Sequence, residues 1–356
     1  MTQTTEEQLE TTEGQEIVMT EEQAAWTRLY EVASAFKKMA PWTWQQDSRI
    51  FGVRNPEDGE IGYCSIMGAS ETLFGLAVFR GAEGLESLND MLIDRDERYA
   101  WLHRQKCMMI TYEDRTDLDK QDLAQIKELG FRFRGRNAWP MFRVYDPGLA
   151  PWTLNEQEVQ YLTMALEQAM DIATRVKKDK NVLVAPKPGK VLVREQVSGE
   201  WADVWMDPEF ILQRPVKVEY DDAARLTDIM ERFPNKKGHW ETEFFFAPVA
   251  VKGEASDRPY YPRLCLWVDR VSRSAVGFHV TYDENFEQQF LDHFLNLIEE
   301  KGNRPQKLVI RTNETIDLFE KTAQRLKVKI EREPRLTYLE EARGDLVEYF
   351  VKNAKK

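Results

Sequence analysis

Metal-ligand pairs and nucleotide-binding glycine motifs are missing from this sequence of 356 residues. It contains no CxxC or HxxxH pair, and His103, His239, His279 and His293 are scattered, so nothing supports a zinc site. Cysteine is scarce too. Cys64, Cys107 and Cys265 are odd in number, far apart and set in apolar stretches, which reads as free buried thiols in a reducing cytoplasm. No apolar run is long enough to cross a bilayer, and the N-terminus lacks a basic start followed by an apolar core. A cytoplasmic protein with no membrane partner is expected. Neither GxGxxG nor GxxxxGKS/T occurs. Arg80 to Gly84 read instead as a glycine turn into a helix, where Glu83 would repel a phosphate. No serine or cysteine lies in a recognisable nucleophile motif, and no cofactor is expected.

The chain is long enough for two globular domains, each burying its own core, and its 42% hydrophobic and 31% charged residues suit that reading. The net charge of -12 is unevenly placed, because residues 1–22 carry seven acids and no base. That leaves 54 of the 61 acids against 49 Lys and Arg, so the body is close to neutral. Broad attachment to phosphate backbones or anionic membranes is therefore disfavoured, and nucleic-acid binding needs a local basic patch.

Residues 1–20, rich in Thr, Glu and Gln, are expected to form a disordered acidic tail. An N-terminal α/β domain is expected over 21–180. It opens on a helix whose Ala25, Leu29, Val32 and Phe36 recur at helical spacing up to Pro41. RIFGVRN, IGYCSIM and TLFGLAVF then form an antiparallel meander. A helix over 83–92, the strand CMMITY, a helix over 118–129, aromatic strands within FRFRGRNAWPMFRVY and a long helix over 155–177 complete this half. The stretch 181–190, with its APKPGK, is read as a hinge, and a C-terminal α/β domain is expected over 191–356.

The second half begins with a small hairpin about Ser198 and Gly199 and a helix over 221–232. WETEFFFAPVAV, RLCLWVD and AVGFHVTY follow as strands, then KLVIRT and VKIERE alternate with helices. The expected fold class is mixed α/β, each half an antiparallel three-strand meander followed by alternating helices and strands. In the second half this is the order of a ribonuclease-H-like sheet, in which parallel strands extend the antiparallel trio through helical crossovers.

Phosphodiester cleavage on such a scaffold uses two metal ions held by several carboxylates. Asp269, at the end of RLCLWVD, is the candidate first ligand, with Glu314 and one of Glu340 or Glu341 as companions. The strand KLVIRT, however, presents Arg311, Thr312 and Asn313 where the next acid is needed, and Arg311 would oppose a cation. Asp269 is preferred as a hairpin-turn residue with Ser272, and no metal is expected. The run Glu113, Asp114, Asp117, Asp119 and Asp122 misses the EF-hand spacing and reads as helix-start acids.

The local candidate for nucleic acid is FRFRGRNAWPMFRVY, where Arg132, Arg134, Arg136 and Arg143 interleave with rings such as Trp139. Simple strand alternation, rings inward and arginines outward, generates the same pattern and is preferred.

WTWQQDSRIFGVRNPEDGEIGYCSIMG, LAVFRGAEGL and KELGFRFRGRNAWPMFRVYDPGLAPWTL resemble the N-terminal domain of an uncharacterised bacterial family. KKGHWETEFFFAPVAV, RPQKLVIRTNET and RLTYLEEAR resemble a second domain of unknown function that can follow it. The resemblance implies the domain placement and a bacterial source, and carries no catalytic residues with it. The preferred functional expectation is a non-catalytic interaction or accessory module with a protein partner. The alternative is a ribonuclease-H-like nucleic-acid enzyme or a relative that only binds.

Overall fold

Thr20 starts the first helix, α1 (Glu21–Met39): its hydroxyl accepts from Gln23 N while the Gln23 side chain accepts from Thr20 N. Lys37 and Lys38 complement the other end of the helix dipole, and Ala40, at a left-handed φ of 51°, turns the chain into Pro41. These coordinates are a computed structural model describing residues 19–93, 103–210, 217–253, 258–283 and 285–353. The expected tail lies outside them up to residue 18.

A second helix, α4 (Glu156–Lys178), is capped in the same way by Asn155 and Glu158. Leu29, Ala33 and Phe36 of α1 pack with Leu162, Leu166, Ala169 and Ile172 of α4, all fully buried. Their spacing gives each helix one apolar face, and burying each such leucine contributes about 1.5–3 kcal/mol.

The two helices cover one face of a seven-stranded sheet, ordered β5-β4-β3-β2-β1-β6-β7. Its strands are β1 (Phe51–Arg54), β2 (Ile61–Met67), β3 (Gly75–Arg80), β4 (Cys107–Glu113), β5 (Trp139–Tyr145), β6 (Val191–Val197) and β7 (Glu200–Met206). On the other face, α2 (Gly81–Ile93) sets Leu85 and Leu88 in a cluster with Tyr63, Phe79 and Met109. The short α3 (Lys120–Glu128) precedes β5.

This topology corrects the domain boundary. β6 pairs parallel with β1 and carries β7 beside it, so residues 191–206 belong to the first domain and APKPGK is a loop within its crossover. Gly52 of β1 makes room for this pairing, since a Cβ there would lie 2.7 Å from Val193 Cγ2. The expected hairpin within FRFRGRNAWPMFRVY is also corrected, because residues 131–138 form no strand and only β5 extends.

The second sheet has the order β10-β9-β8-β11-β12. It follows α5 (Ala223–Arg232) and is built from β8 (His239–Phe246), β9 (Arg263–Asp269), β10 (Ser274–Thr281), β11 (Lys307–Ile310) and β12 (Lys329–Arg332). The first three are antiparallel, while β11 is parallel to both β8 and β12. On one face, Phe290, Phe294 and Leu295 of α6 (Phe286–Lys301) and Leu318 and Phe319 of α7 (Asn313–Arg325) cluster with Trp267 and Leu308. The other face receives Leu339, Ala342 and Leu346 of α8 (Thr337–Asn353).

The two halves are therefore mixed α/β units of different topology. In the first, α2 returns the chain to the free edge of β3, where β4 pairs antiparallel. In the second, α6 carries the chain to the opposite edge of the trio, where β11 pairs parallel with β8. All three cysteines are free and buried, and burial pushes their thiols well above the ordinary range. Among the described residues no helix is long and apolar enough to cross a membrane.

Candidate functional site

Two short segments join the domains. Tyr261 N donates to Gly148 O at 2.7 Å and Ala150 N to Pro259 O at 2.8 Å, with Leu149 and Tyr260 bridged antiparallel between them. Arg258 reinforces this contact, donating to Asp146 Oδ2 at 2.8 Å, Ala150 O at 2.7 Å and Val144 O at 3.2 Å. Asp146 is held from the other side by Arg80 at 2.5 Å, which also reaches Glu158. Gly148 is required here: its φ is 76°, and a Cβ would lie 2.7 Å from the Phe246 ring.

His103, from the first domain, packs on Tyr261 at 4.0 Å between ring centroids and also contacts Phe246. Burial, and then the nearby Arg343, hold its pKa down from 6.5 to about 4. Between those two values the unfolded chain takes up a proton that the folded chain refuses. The stability contributed by neutral His103 is thus complete above pH 6.5 and is lost as pH falls to about 4. The melting temperature of the native protein is expected to fall more steeply across this window than that of His103→Gln. Equal slopes would contradict a buried, neutral imidazole.

The joined domains leave a groove outside the C-terminal ends of β8, β11 and β12. β8 continues to β9 on one side and β11 to β12 on the other, the kind of switch point at which open α/β sheets receive ligands. One cavity of about 250 Å³ is lined by Arg104, Arg311, Arg332 and Arg343, with His103 and Thr312 and a wall of Phe244 to Phe246. A neighbouring cavity of about 400 Å³ shares Arg104 and the Phe wall, but its rim carries Glu83, Glu86 and Asp90. Burial and the adjacent Asp90, Glu314 and Glu83 push Glu86 above the usual carboxylate range. The groove is thus cationic at one end and acidic at the other.

Each arginine reaches the cationic cavity from a different element. Arg311 follows β11 and bonds Glu243 twice, at 3.1 and 2.7 Å, with Glu340 at 3.6 Å. Arg104 comes from the loop before β4 and pairs with Glu314 at 3.2 Å. Arg332 ends β12, and Arg343, on α8, lies 4.1 Å from the centroid of the Phe245 ring. Glu243 is the only carboxylate lining this cavity among the described residues, and it is already engaged by Arg311.

The acids named as metal candidates do not meet. Asp269 is in register with Trp240 at the start of β8, the sheet end opposite the groove. Its carboxylate closes the β9–β10 turn, accepting from Val271 N, Ser272 N and the Ser272 hydroxyl, and also from His239 N. Glu314 serves Arg104, Glu340 lies between Arg311 and Arg335, and Glu341 is exposed. Among the described residues no group of three or more His, Cys, Asp or Glu is placed to hold a metal ion.

Arg132, Arg134 and Arg136 are exposed, but the rings around them are committed elsewhere. Phe131 and Phe133 pack on Tyr30 of α1 at 5.1 and 6.1 Å, and Trp139 packs on Phe133. Arg143 is spent on Asp119 and Asp122. Cations and free rings are thus separated here, although stacking on unpaired bases needs both.

The sequence did not single out Glu241 and Glu243. Both are buried on β8, and two acids alternating inside the apolar WETEFFF were the available signal. Beyond Arg311 at the end of KLVIRT, no local pattern announces the groove arginines, which are contributed by both domains.

Residues 26–194 match a domain of unknown function (DUF7309), and residues 225–347 match another (DUF6930). No functionally curated protein matches the chain. Among solved structures, the chain is similar to part of a simian T-cell lymphotropic virus intasome in complex with PP2A regulatory subunit B56 gamma. The identity is 19%, the coverage 35% of this chain and 44% of that one, and the TM-score 0.24, too low to bear on fold or function. The chain is thus similar to a DUF7309 domain over one stretch and to a DUF6930 domain over the next.

Proposed function

We propose that the protein is a non-catalytic binding module whose interdomain groove captures an anionic group presented by a protein partner. The observation that carries this reading is the convergence of Arg104, Arg311, Arg332 and Arg343 on one small cavity at the sheet's switch point. Arginine keeps its proton throughout the physiological range and offers a rigid fork of donors, so such a lining recognises carboxylate or phosphate without moving protons. The buried thiols fit a reducing bacterial cytoplasm, the setting we assign to it.

Pyrophosphate serves as a probe of the cavity. Titrated calorimetrically into the full chain at low ionic strength, it is expected to bind in a salt-sensitive manner. The double variant Arg332→Ala/Arg343→Ala is expected to weaken binding about tenfold or more, since a hydrogen bond to a charged group contributes about 1.5–3 kcal/mol. Absence of binding, or equal affinity in the variant, would remove the reading.

A further inference from the structure

We propose that two copies of this chain pair antiparallel along the outer edge of β10, joining their second sheets into one continuous sheet. The inference stands apart from the arginine cavity. β10 ends the sheet order, and among the described residues no strand or isolated bridge meets its outer edge. Such an edge presents a row of backbone donors and acceptors, which proteins guard with charge, proline, short length or a cover. The other three sheet edges are guarded. β5 holds Pro140 and Arg143, and its outer side is bonded by residue 152: Val144 N donates to Trp152 O at 2.9 Å and Trp152 N to Val144 O at 3.0 Å. β7 carries Glu200 and Asp203, and β12 sets Lys329, Glu331 and Arg332 within four residues. β10 instead runs for eight residues with neither a charge nor a proline, and Phe278 on it is 47% exposed.

Charge complementarity selects a second copy as the occupant. The charged residues nearest to β10 are Arg273 before it and Asp283 after it, both exposed. Asp283 accepts from Asn285 N and Gln289 Nε2, neither of which is a cation. A strand basic at its start and acidic at its end attracts a copy running the opposite way, because unlike charges then meet at both ends. The strand also matches itself. Its register shift lies between Ala275 and Gly277, and residues 277–281 pair regularly with β9. Antiparallel pairing centred on His279 sets Phe278 of each copy opposite Val280 of the other, on the face where Val280 packs with Leu339 and Leu346 of α8. An aromatic ring opposite a β-branched side chain is a favourable cross-strand pair, and here it forms twice. A two-fold contact of this kind closes at the dimer.

Sedimentation equilibrium of the full chain tests the pairing. A monomer–dimer equilibrium with a Kd of roughly micromolar order is expected. Phe278→Lys, at an exposed position, is expected to weaken it about tenfold or more by removing both cross-strand pairs and placing a charge on the edge. Arg273→Glu and Asp283→Lys each set like charges together at both ends, and each alone is expected to weaken the dimer about fivefold. The double variant Arg273→Glu/Asp283→Lys reverses both signs and is expected to return to within about twofold of native. A native chain still monomeric at about 1 mM overturns the inference. So does a dimer indifferent to Phe278→Lys, which would join through another surface. Loss in both single charge variants without recovery in the double variant, all with native-like thermal melts, overturns the antiparallel arrangement.

Discussion

Replacing Glu241 with alanine is expected to destabilise the protein by about 3–5 kcal/mol, because it leaves a buried backbone amide unsatisfied and removes a charge-assisted hydrogen bond. Glu241 is fully buried on β8. One of its oxygens accepts from Arg270 Nε at 2.8 Å and the other from Leu339 N at 2.7 Å, in the first turn of α8. The carboxylate therefore caps α8 from another element and fixes the helix that carries Arg343 to the groove. Alanine leaves the Leu339 amide without its acceptor and leaves Arg270 with Glu333 alone. Glutamine keeps an acceptor for the amide and is expected to lose less, about 1.5–3 kcal/mol. Urea unfolding of the three proteins decides the matter, and an alanine variant within about 1 kcal/mol of native would refute the capping role.

Gly75→Ala is expected to prevent accumulation of folded protein, or to destabilise it by at least about 4 kcal/mol. Gly75 begins β3 between Met67 and Thr111, and a Cβ there would lie 1.9 Å from the Ile110 carbonyl oxygen. That neighbour is backbone of β4, so no side-chain rotation relieves the clash. Gly130→Ala is the control: φ is 76° but nothing lies within 4 Å of a Cβ, and only the left-handed conformation is penalised, by about 1–2 kcal/mol. Soluble yield and thermal melts compare the two. A Gly75→Ala protein as stable as the Gly130→Ala one would mean that β3 and β4 do not approach as described.

Where interactions are local, the sequence was informative. Helical spacing placed α4 within a residue of its observed span, and Asn155, Glu158 and the closing lysines fix its ends within one turn. The antiparallel trio and its parallel extension in the second half followed from strand and helix order. The first-domain boundary was not legible, since β6 owes its position to β1, far away in sequence, and a Pro/Gly-rich crossover loop imitates a linker. FRFR alternates like a strand, yet stacking of Phe131 and Phe133 on Tyr30 holds it as irregular chain.

Asp269 drew attention as an acid closing an apolar strand, but β9 runs against β8 and delivers it to the sheet end away from the groove. Glu243, one strand over, faces the groove and is neutralised by Arg311 rather than left for a cation. Of the candidate site only Arg311 and Thr312 were legible, at the end of KLVIRT, because the other arginines come from two domains and meet only after docking.

The central claim is that these arginines form an anion site between the domains. Crystals of the full chain soaked in tungstate, a tetrahedral oxyanion with a strong anomalous signal, test it most directly. The account predicts an anomalous peak within hydrogen-bonding distance of the Arg332 and Arg343 guanidinium groups, lost in crystals of Arg332→Ala/Arg343→Ala. A groove without a peak, or peaks on the exposed Arg132 to Arg136 stretch alone, would contradict it.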